Sequence, residues 1–305
     1  MRVNYPQKRS TPRMSPVTEV AKVRVAVGPY ERLGWYVRFE EEAYWETTWR
    51  GLTVEDARGL VSYYKDDTIL LRAFLRYLPR ERPILEAGCG VGQWVFLLGQ
   101  MGYAMEGVDT SQSAIALARR AFGELPVRLA DVTALDYPDG YLGGYVSLGV
   151  MEHFPDGPAV VLREVRRVLD RGGVLLCTVP YFNPLRRARR YLTAPVSPEL
   201  RFYEWAFSRK EFTTILQDFG FKIECTMAYS PLKTLRDEFP AVRTSAERVR
   251  MILPPSVDSD GRKGLRLAAR GCARICARAC VRALERSTPL RLLAGHMMIY
   301  VARRL

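Results

Sequence analysis

The sequence predicts an α/β fold: a mostly parallel, seven-stranded sheet with helices on both faces, carrying an N-terminal extension and a basic helical insertion before the last strand. Three observations lead there. The apolar run Ile84-Leu85-Glu86-Ala87 enters a turn with glycine at positions 88, 90 and 92, the form of a strand passing into a helix. Short apolar runs then alternate with segments of helical spacing as far as residue 179, which is the pattern of stacked strand–helix units. Two last apolar runs, 222–227 and 297–302, stand far apart, with a strongly basic stretch between them.

Taken in order, residues 1–20 are rich in proline, serine, threonine and basic residues, and Pro6, Pro12 and Pro16 interrupt any helix there. Residues 21–60 crowd Tyr30, Trp35, Tyr36, Phe39, Tyr44, Trp45 and Trp49 beside Glu40, Glu41, Glu42 and Glu46. Large rings with polar handles suit a lid over a ligand or a packing surface on the core, and the two readings stand level. A helix follows over 66–78, with Ile69, Leu70, Leu71, Phe74, Leu75 and Leu78 on its apolar side, and Pro79 and Pro83 end it before the first strand. The next helix starts near Gln93. A second strand, 103–108, ends in Asp109, and Thr110 or Ser111 caps a helix running through Ile115 and Leu117 to about Phe122. A third strand, 127–130, leads to Asp131-Val132, and a fourth, 145–148, to Gly149-Val150-Met151-Glu152-His153-Phe154. A helix over 158–169, a turn at 170–173 and a fifth strand, 174–179, complete the alternation. Residues 180–206 are a long connection rich in proline, arginine and aromatics, and connections of that length are usually functional.

The glycine turn is built to receive a cofactor, because glycine adopts positive φ and has no Cβ to hold a ligand off the backbone. A dinucleotide fingerprint needs a further glycine at position 93, where Gln93 stands. Asp109 lies 21 positions after Gly88, where a carboxylate can accept from both ribose hydroxyls. Asp131 can accept from an adenine amino group while the Val132 amide meets the ring. His153, just past the fourth strand, sits at the carboxyl edge where open α/β sheets bind ligands and suits a base for a hydroxyl acceptor; packing of the turn is its alternative role.

These motifs together resemble the class I methyltransferases that use S-adenosylmethionine (SAM), in particular the broad small-molecule group that includes the ubiquinone-type enzymes. The matching stretches are Glu86-Ala87-Gly88-Cys89-Gly90-Val91-Gly92, Gly107-Val108-Asp109, Ala130-Asp131-Val132, Met151-Glu152-His153-Phe154 and Leu169-Asp170-Arg171-Gly172-Gly173, followed by Phe207-Ser208-Arg209-Lys210-Glu211-Phe212 and Gly220-Phe221. The resemblance implies a Rossmann-like methyltransferase sandwich over 66–231 and 293–305, with 1–65 as N-terminal extension and aromatic cap and 232–292 as a basic helical insertion. It implies SAM as cofactor, held by Glu86, Gly88, Cys89, Gly90, Gly92, Asp109, Thr110, Asp131, Val132, Leu148 and Gly149. Some relatives bind a metal through Glu-x-x-Glu-His, but the first of those positions is Gly149 here, so no metal set is expected. Enzymes that methylate base amines or glutamine amides carry Asn/Asp-Pro-Pro-Tyr after the fourth strand, where this chain has Leu148-Gly149-Val150-Met151. A small-molecule or lipid-like acceptor is therefore favoured over RNA. The competing class is a non-catalytic SAM-binding scaffold, whose mark would be a damaged cofactor site, and Gly88, Gly90, Asp109 and Asp131 show no damage.

With 305 residues, 48% hydrophobic and 26% charged, the composition is that of a soluble α/β domain with extensions, and no apolar run approaches the roughly 20 residues of a membrane span. The first residues carry basic side chains without a following apolar stretch, which argues against a secretory signal. Cys89 and Cys177 fall inside core motifs as small packed residues, as in a reducing cytoplasm. The net charge of +13 is uneven: residues 262–286 hold eight basic residues against Glu285. Arginines every four residues wind around a helix by about 40° per step, and Leu265, Cys272, Ile275, Cys276, Ala279, Cys280 and Leu284 form an apolar track beside them. Such a helix suits an anionic membrane surface at the cytoplasmic face, with nucleic acid or plain solvent as the other readings. Cys272, Cys276 and Cys280 match a cluster motif only loosely, since their spacing is helical, and they are read as packing.

Overall fold

The computed structural model describes residues 20–38, 44–65, 68–189, 191, 198–239, 283–284 and 286–305. Expectations for 1–19, for Phe39 to Glu42, for the cysteines at 272, 276 and 280 and for nearly all of the basic stretch 262–286 lie outside them.

A seven-stranded sheet carries the fold. Its strands, in chain order, are β3 (Ile84–Ala87), β4 (Met105–Asp109), β5 (Val127–Leu129), β6 (Leu142–Leu148), β7 (Leu169–Pro180), β9 (Phe221–Tyr229) and β10 (Met297–Arg304), and they lie in the order β5-β4-β3-β6-β7-β10-β9. Pairing is parallel between β3 and β4, β3 and β6, β4 and β5, and β6 and β7. Parallel strands buried on both faces need apolar runs, and β3 and β6 are buried along nearly their whole length. Helices α4 (Gln93–Gly99), α5 (Gln112–Phe122) and α6 (Ala159–Val168) bridge the parallel strands. Ser111 is the N-cap of α5, its Oγ accepting from the Ala114 amide at 3.1 Å, which settles the choice between Thr110 and Ser111.

Three local expectations change. The turn at 170–173 is absorbed into β7 as a bulge: Leu142 faces Leu169 and Gly144 faces Val174, so four residues loop out opposite one. In α3 (Ile69–Tyr77), capped by Thr68, Leu70, Leu71 and Phe74 are buried, whereas Leu75, at the edge of that face, is 45% exposed. The aromatic extension and the long connection are not irregular. Residues Val20–Val27 (β1) and Tyr30–Val37 (β2) form a hairpin across Gly28-Pro29, and Arg201–Ala206 (β8) pairs antiparallel with β2, Leu33 facing Ala206. The alternation Val-Ala-Lys-Val-Arg-Val-Ala-Val, followed by a two-residue turn with Gly28 at φ +56°, is the signal for that hairpin. Helices α1 (Tyr44–Arg50) and α2 (Val54–Tyr64) follow it, α2 opening on a capping box between Thr53 and Asp56.

The chain divides into two compact units, one of residues 1–180, 191–226 and 299–305, the other of 181–190 and 227–298. The second holds α7 (Pro184–Ala188), α9 (Pro231–Glu238) and α10 (Thr288–Ala294). Arg186 is 1% exposed there, donating to the Tyr181 carbonyl at 2.9 Å and pairing with buried Glu238 at 3.3 Å. Asn183 caps α7 and donates its Nδ2 to the Gly295 carbonyl at 2.8 Å. Such a buried pair is tolerable because each partner is hydrogen-bonded. The first unit also contains α8 (Arg209–Asp218), capped by Ser208, from which buried Glu211 pairs with Arg32 of β2 at 2.5 Å. No described helix is long and apolar enough to cross a membrane.

Candidate active site at the carboxyl ends of four strands

Because β5, β4, β3 and β6 are neighbours, their carboxyl ends lie side by side, and the last residues of β3, β4 and β6 together with the turns that follow β5, β4, β3 and β6 hold every residue expected to bind the cofactor. Gly88, Gly90 and Gly92 take φ of +79°, +53° and +71°. A Cβ on Gly88 would stand 2.3 Å from Val150 Cγ2, and one on Gly90 2.7 Å from the Trp49 ring. The turn is pinned by the Gly88 and Cys89 amides, which donate to the Val108 carbonyl at 2.8 and 2.9 Å. Gly92 plays a different part: its Cβ position faces Leu125 and Val127, so it serves helix–strand packing. Cys89 turns its thiol into the core against Gly107, where burial pushes its pKa up and leaves only its backbone for a ligand.

Asp109 ties the first two turns together. Its Oδ2 accepts from the Gly90 amide at 2.8 Å and its Oδ1 from the Ser111 amide at 2.9 Å. Burial raises its carboxyl pKa and these bonds oppose the rise. Each oxygen keeps a second lone pair for a ligand hydroxyl. Glu86 lies buried at the end of β3, its pKa lifted well above the usual range by burial and then by the charge of Asp109, and its Oε2 has no hydrogen-bond partner. Thr110 and Asp131 are exposed; Asp131 Oδ1 accepts from the Thr133 amide and hydroxyl, both at 2.8 Å, above buried Val132. Leu148 ends β6, and the amide of Gly149, at φ +71°, donates to Thr178 Oγ1 at 3.1 Å.

Helix α1 closes on this surface, through contacts that sequence reasoning did not assign. Glu46 accepts from Ser111 Oγ at 2.6 Å and from the Ser113 amide at 3.2 Å, and also binds the Ser113 hydroxyl. A carboxylate at the start of α5 suits the positive end of that helix. The bonds from Ser111 and then Ser113 hold the Glu46 pKa below the usual range. With Trp49 against Gly90, α1 packs on the glycine turn, as the packing reading of the aromatic stretch expects. The density of aromatics marked the region, but nothing local singled out Glu46 among the neighbouring glutamates.

His153 ends a single 3-10 turn, Met151–His153, beyond β6. Its Nδ1 lies 2.7 Å from the Tyr203 carbonyl, and because a carbonyl only accepts, Nδ1 carries the proton and Nε2 keeps the lone pair. The ring sits between Trp45, 5.0 Å away and edge-on, and Tyr203, at 4.9 Å. Burial lowers its pKa to about 4, so the imidazole is neutral at physiological pH. Glu152, 1% exposed, and Glu204 of β8 stand beside it, one donor atom from each of the three lying within 4.8 Å of the others. Tyr203 falls among the aromatics of the connection 180–206 that the sequence marks as functional, but no local signal there marks β8 or singles out Glu204.

Residues 85–177 match the family described as methyltransferase domain. Over 149 residues the chain is 30% identical to a probable S-adenosylmethionine-dependent methyltransferase of Mycolicibacterium smegmatis, covering 48% of this chain and 54% of that one. It is 31% identical over 124 residues to a ubiquinone biosynthesis O-methyltransferase of Thiobacillus denitrificans, covering 39% and 51%. The chain spans about half the length of the curated relatives it matches. Among solved structures it is similar to a chain from the complex of the Haloferax volcanii Trm112 methyltransferase activator with its methyltransferase, at 16% identity and a TM-score of 0.51 over 82% of this chain and 93% of that one. That likeness concerns the fold.

Proposed function

We propose that the chain, whose residues 85–177 match a methyltransferase domain, is a class I SAM-dependent methyltransferase that transfers methyl from SAM to a small-molecule or lipid-like acceptor. The observation that carries this reading is Asp109, buried, bonded to the Gly90 and Ser111 amides and set beside a turn of three positive-φ glycines. The residues also fit the cofactor on a second count: Glu86 Oε2 and Gln93 Oε1, on either side of that turn, are buried without partners. Leaving such groups unmet costs about 1–3 kcal/mol each, and a polar ligand removes that cost.

In this reading Asp109 accepts from ribose hydroxyls, Asp131 and the Val132 amide meet the adenine, and Glu86, Gly88, the Cys89 backbone, Gly90, Thr110, Leu148 and Gly149 complete the cofactor surface, with Gly92 supporting the turn from behind by its packing. SAM supplies an electrophilic methyl on a sulfonium, so the protein's task is alignment and exclusion of water. Neutral His153, oriented by the Tyr203 carbonyl, offers Nε2 as the proton acceptor for a hydroxyl acceptor. Residues 66–231 and 293–305 form the methyltransferase core, 1–65 the cap and 232–292 the insertion. The sequence pattern of 262–286 supports a cytoplasmic enzyme that meets the inner face of an anionic membrane holding an apolar acceptor.

Calorimetry with the purified chain tests the cofactor: SAM and S-adenosylhomocysteine bind at one site, and a nicotinamide dinucleotide does not displace them. Dinucleotide binding in preference to SAM overturns the reading. Labelled methyl appearing in lipid or small-molecule extracts incubated with the enzyme supports catalysis, whereas SAM binding without transfer to any extract, RNA included, returns the chain to the scaffold class. Co-sedimentation with acidic liposomes, lost at high salt, tests the membrane contact.

A further inference from the structure

Glu152, His153 and Glu204 form a second constellation beside the cofactor turns, and three features of it point to one kind of ligand. The first is convergence. One ligand atom from each residue lies within 4.8 Å of the other two, close to the span of about 4.2 Å between opposite donors of a cation with bonds of about 2.1 Å. The second is an unmet acceptor: Glu152 is 1% exposed, and its Oε2 has no hydrogen-bond partner. Two neighbouring carboxylates with one of them buried form an arrangement that an added positive charge stabilises. The third is the orientation of the imidazole. A ligating histidine donates its other ring N–H to a carbonyl or carboxylate, and His153 Nδ1 already does so, to the Tyr203 carbonyl at 2.7 Å.

We propose that Glu152 and Glu204, through carboxylate oxygens, and His153, through Nε2, bind a divalent cation. Two oxygens and one imidazole nitrogen suit Mn2+ or Zn2+. One carboxylate comes from β8, an element outside the parallel sheet, so the cation ties the antiparallel sheet to the turn after β6. The position taken by glutamate in the Glu-x-x-Glu-His motif is Gly149 here, and Glu204, 52 positions past Glu152, supplies the carboxylate from another direction. The cation would use the same Nε2 lone pair as the proton-accepting role of His153, so with the site occupied the metal would lower the pKa of an acceptor hydroxyl bound to it and the proton would pass to solvent in place of the histidine.

The test reads metal binding and not methyl transfer, which keeps its outcome separate from the methyltransferase reading. The full chain, stripped with EDTA and dialysed, is titrated with Mn2+ and the free ion followed by electron paramagnetic resonance. Mn2+ is the probe because thiolates at 272, 276 and 280 favour softer ions. One equivalent binds per chain, and Glu204→Gln and Glu152→Gln each weaken binding by tenfold or more while circular dichroism is unchanged. If the buried Glu152→Gln variant does not fold, Glu204→Gln decides alone. Absence of stoichiometric Mn2+ binding, or equal binding by folded Glu204→Gln and the parent chain, overturns the proposal.

Discussion

The glycine turn and helix α1 border the same carboxylate, Asp109, yet they are held by different kinds of contact. Backbone holds the turn: three positive-φ glycines, two amides on the Val108 carbonyl and one on Asp109. Side chains hold α1, through Glu46 on Ser111 and Ser113 and through the Trp45 and Trp49 rings. Backbone geometry is shared by every residue of the turn and fails as a unit when one glycine gains a Cβ. Side-chain contacts are separable, and each can be removed without unfolding what it touches.

The strongest way to break this contrast is Gly88→Ala. It forces an L-residue to φ +79° and places a Cβ 2.3 Å from Val150 Cγ2. Strain and overpacking together cost about 2–5 kcal/mol, and thermal denaturation shows a fall in Tm of about 5 °C or more. A variant as stable as the parent would mean that the turn relaxes freely, removing the backbone half of the comparison. Next in size is Asp109→Ala, which lies where the two regions meet. Losing ribose hydrogen bonds to a charged acceptor costs about 1.5–3 kcal/mol, or roughly tenfold to a hundredfold in SAM affinity by calorimetry. Unchanged affinity would remove Asp109 from the cofactor site.

Glu46→Gln probes the side-chain half alone. Glu46 is 29% exposed, so after solvent screening its bonds contribute about 1 kcal/mol. Tryptophan fluorescence should report a looser Trp45 and Trp49, SAM affinity should drop severalfold, and Tm should move far less than in Gly88→Ala. Equal Tm losses in the two variants would erase the distinction. The smallest effect is a pH dependence. The Glu46 pKa is depressed in the folded state, so its stabilising contacts are complete above the usual glutamate range and are lost only as pH falls through the lowered value. The fluorescence of the parent is then flat near neutrality with an acid limb, and Glu46→Gln lacks that limb. A limb that persists in the variant assigns it to another group.

Legibility divides along the same line. Strand alternation, the glycine turn, the 21-residue step to Asp109 and a cap at Thr110 or Ser111 are all readable along the chain, because positive φ, capping and apolar periodicity act within a few residues. The hairpin β1–β2 carries its own period-2 signal, but an aromatic density that fits several structures equally obscures it. The pairing of β2 with β8 has no local mark at all, since Leu33 and Ala206 meet only once the intervening chain has folded.

By itself the sequence determined the parallel strand order, the glycine turn after its first strand and the carboxylate beside that turn. Tertiary structure alone decided that Glu46, out of a run of glutamates, reaches the serines at the head of α5. It also decided that His153 meets Tyr203 and Glu204 from about fifty residues away. The reason is physical: a φ angle or a helix cap is fixed by neighbours along the chain, whereas the partner of a buried carboxylate or imidazole depends on which distant surfaces the apolar core brings together.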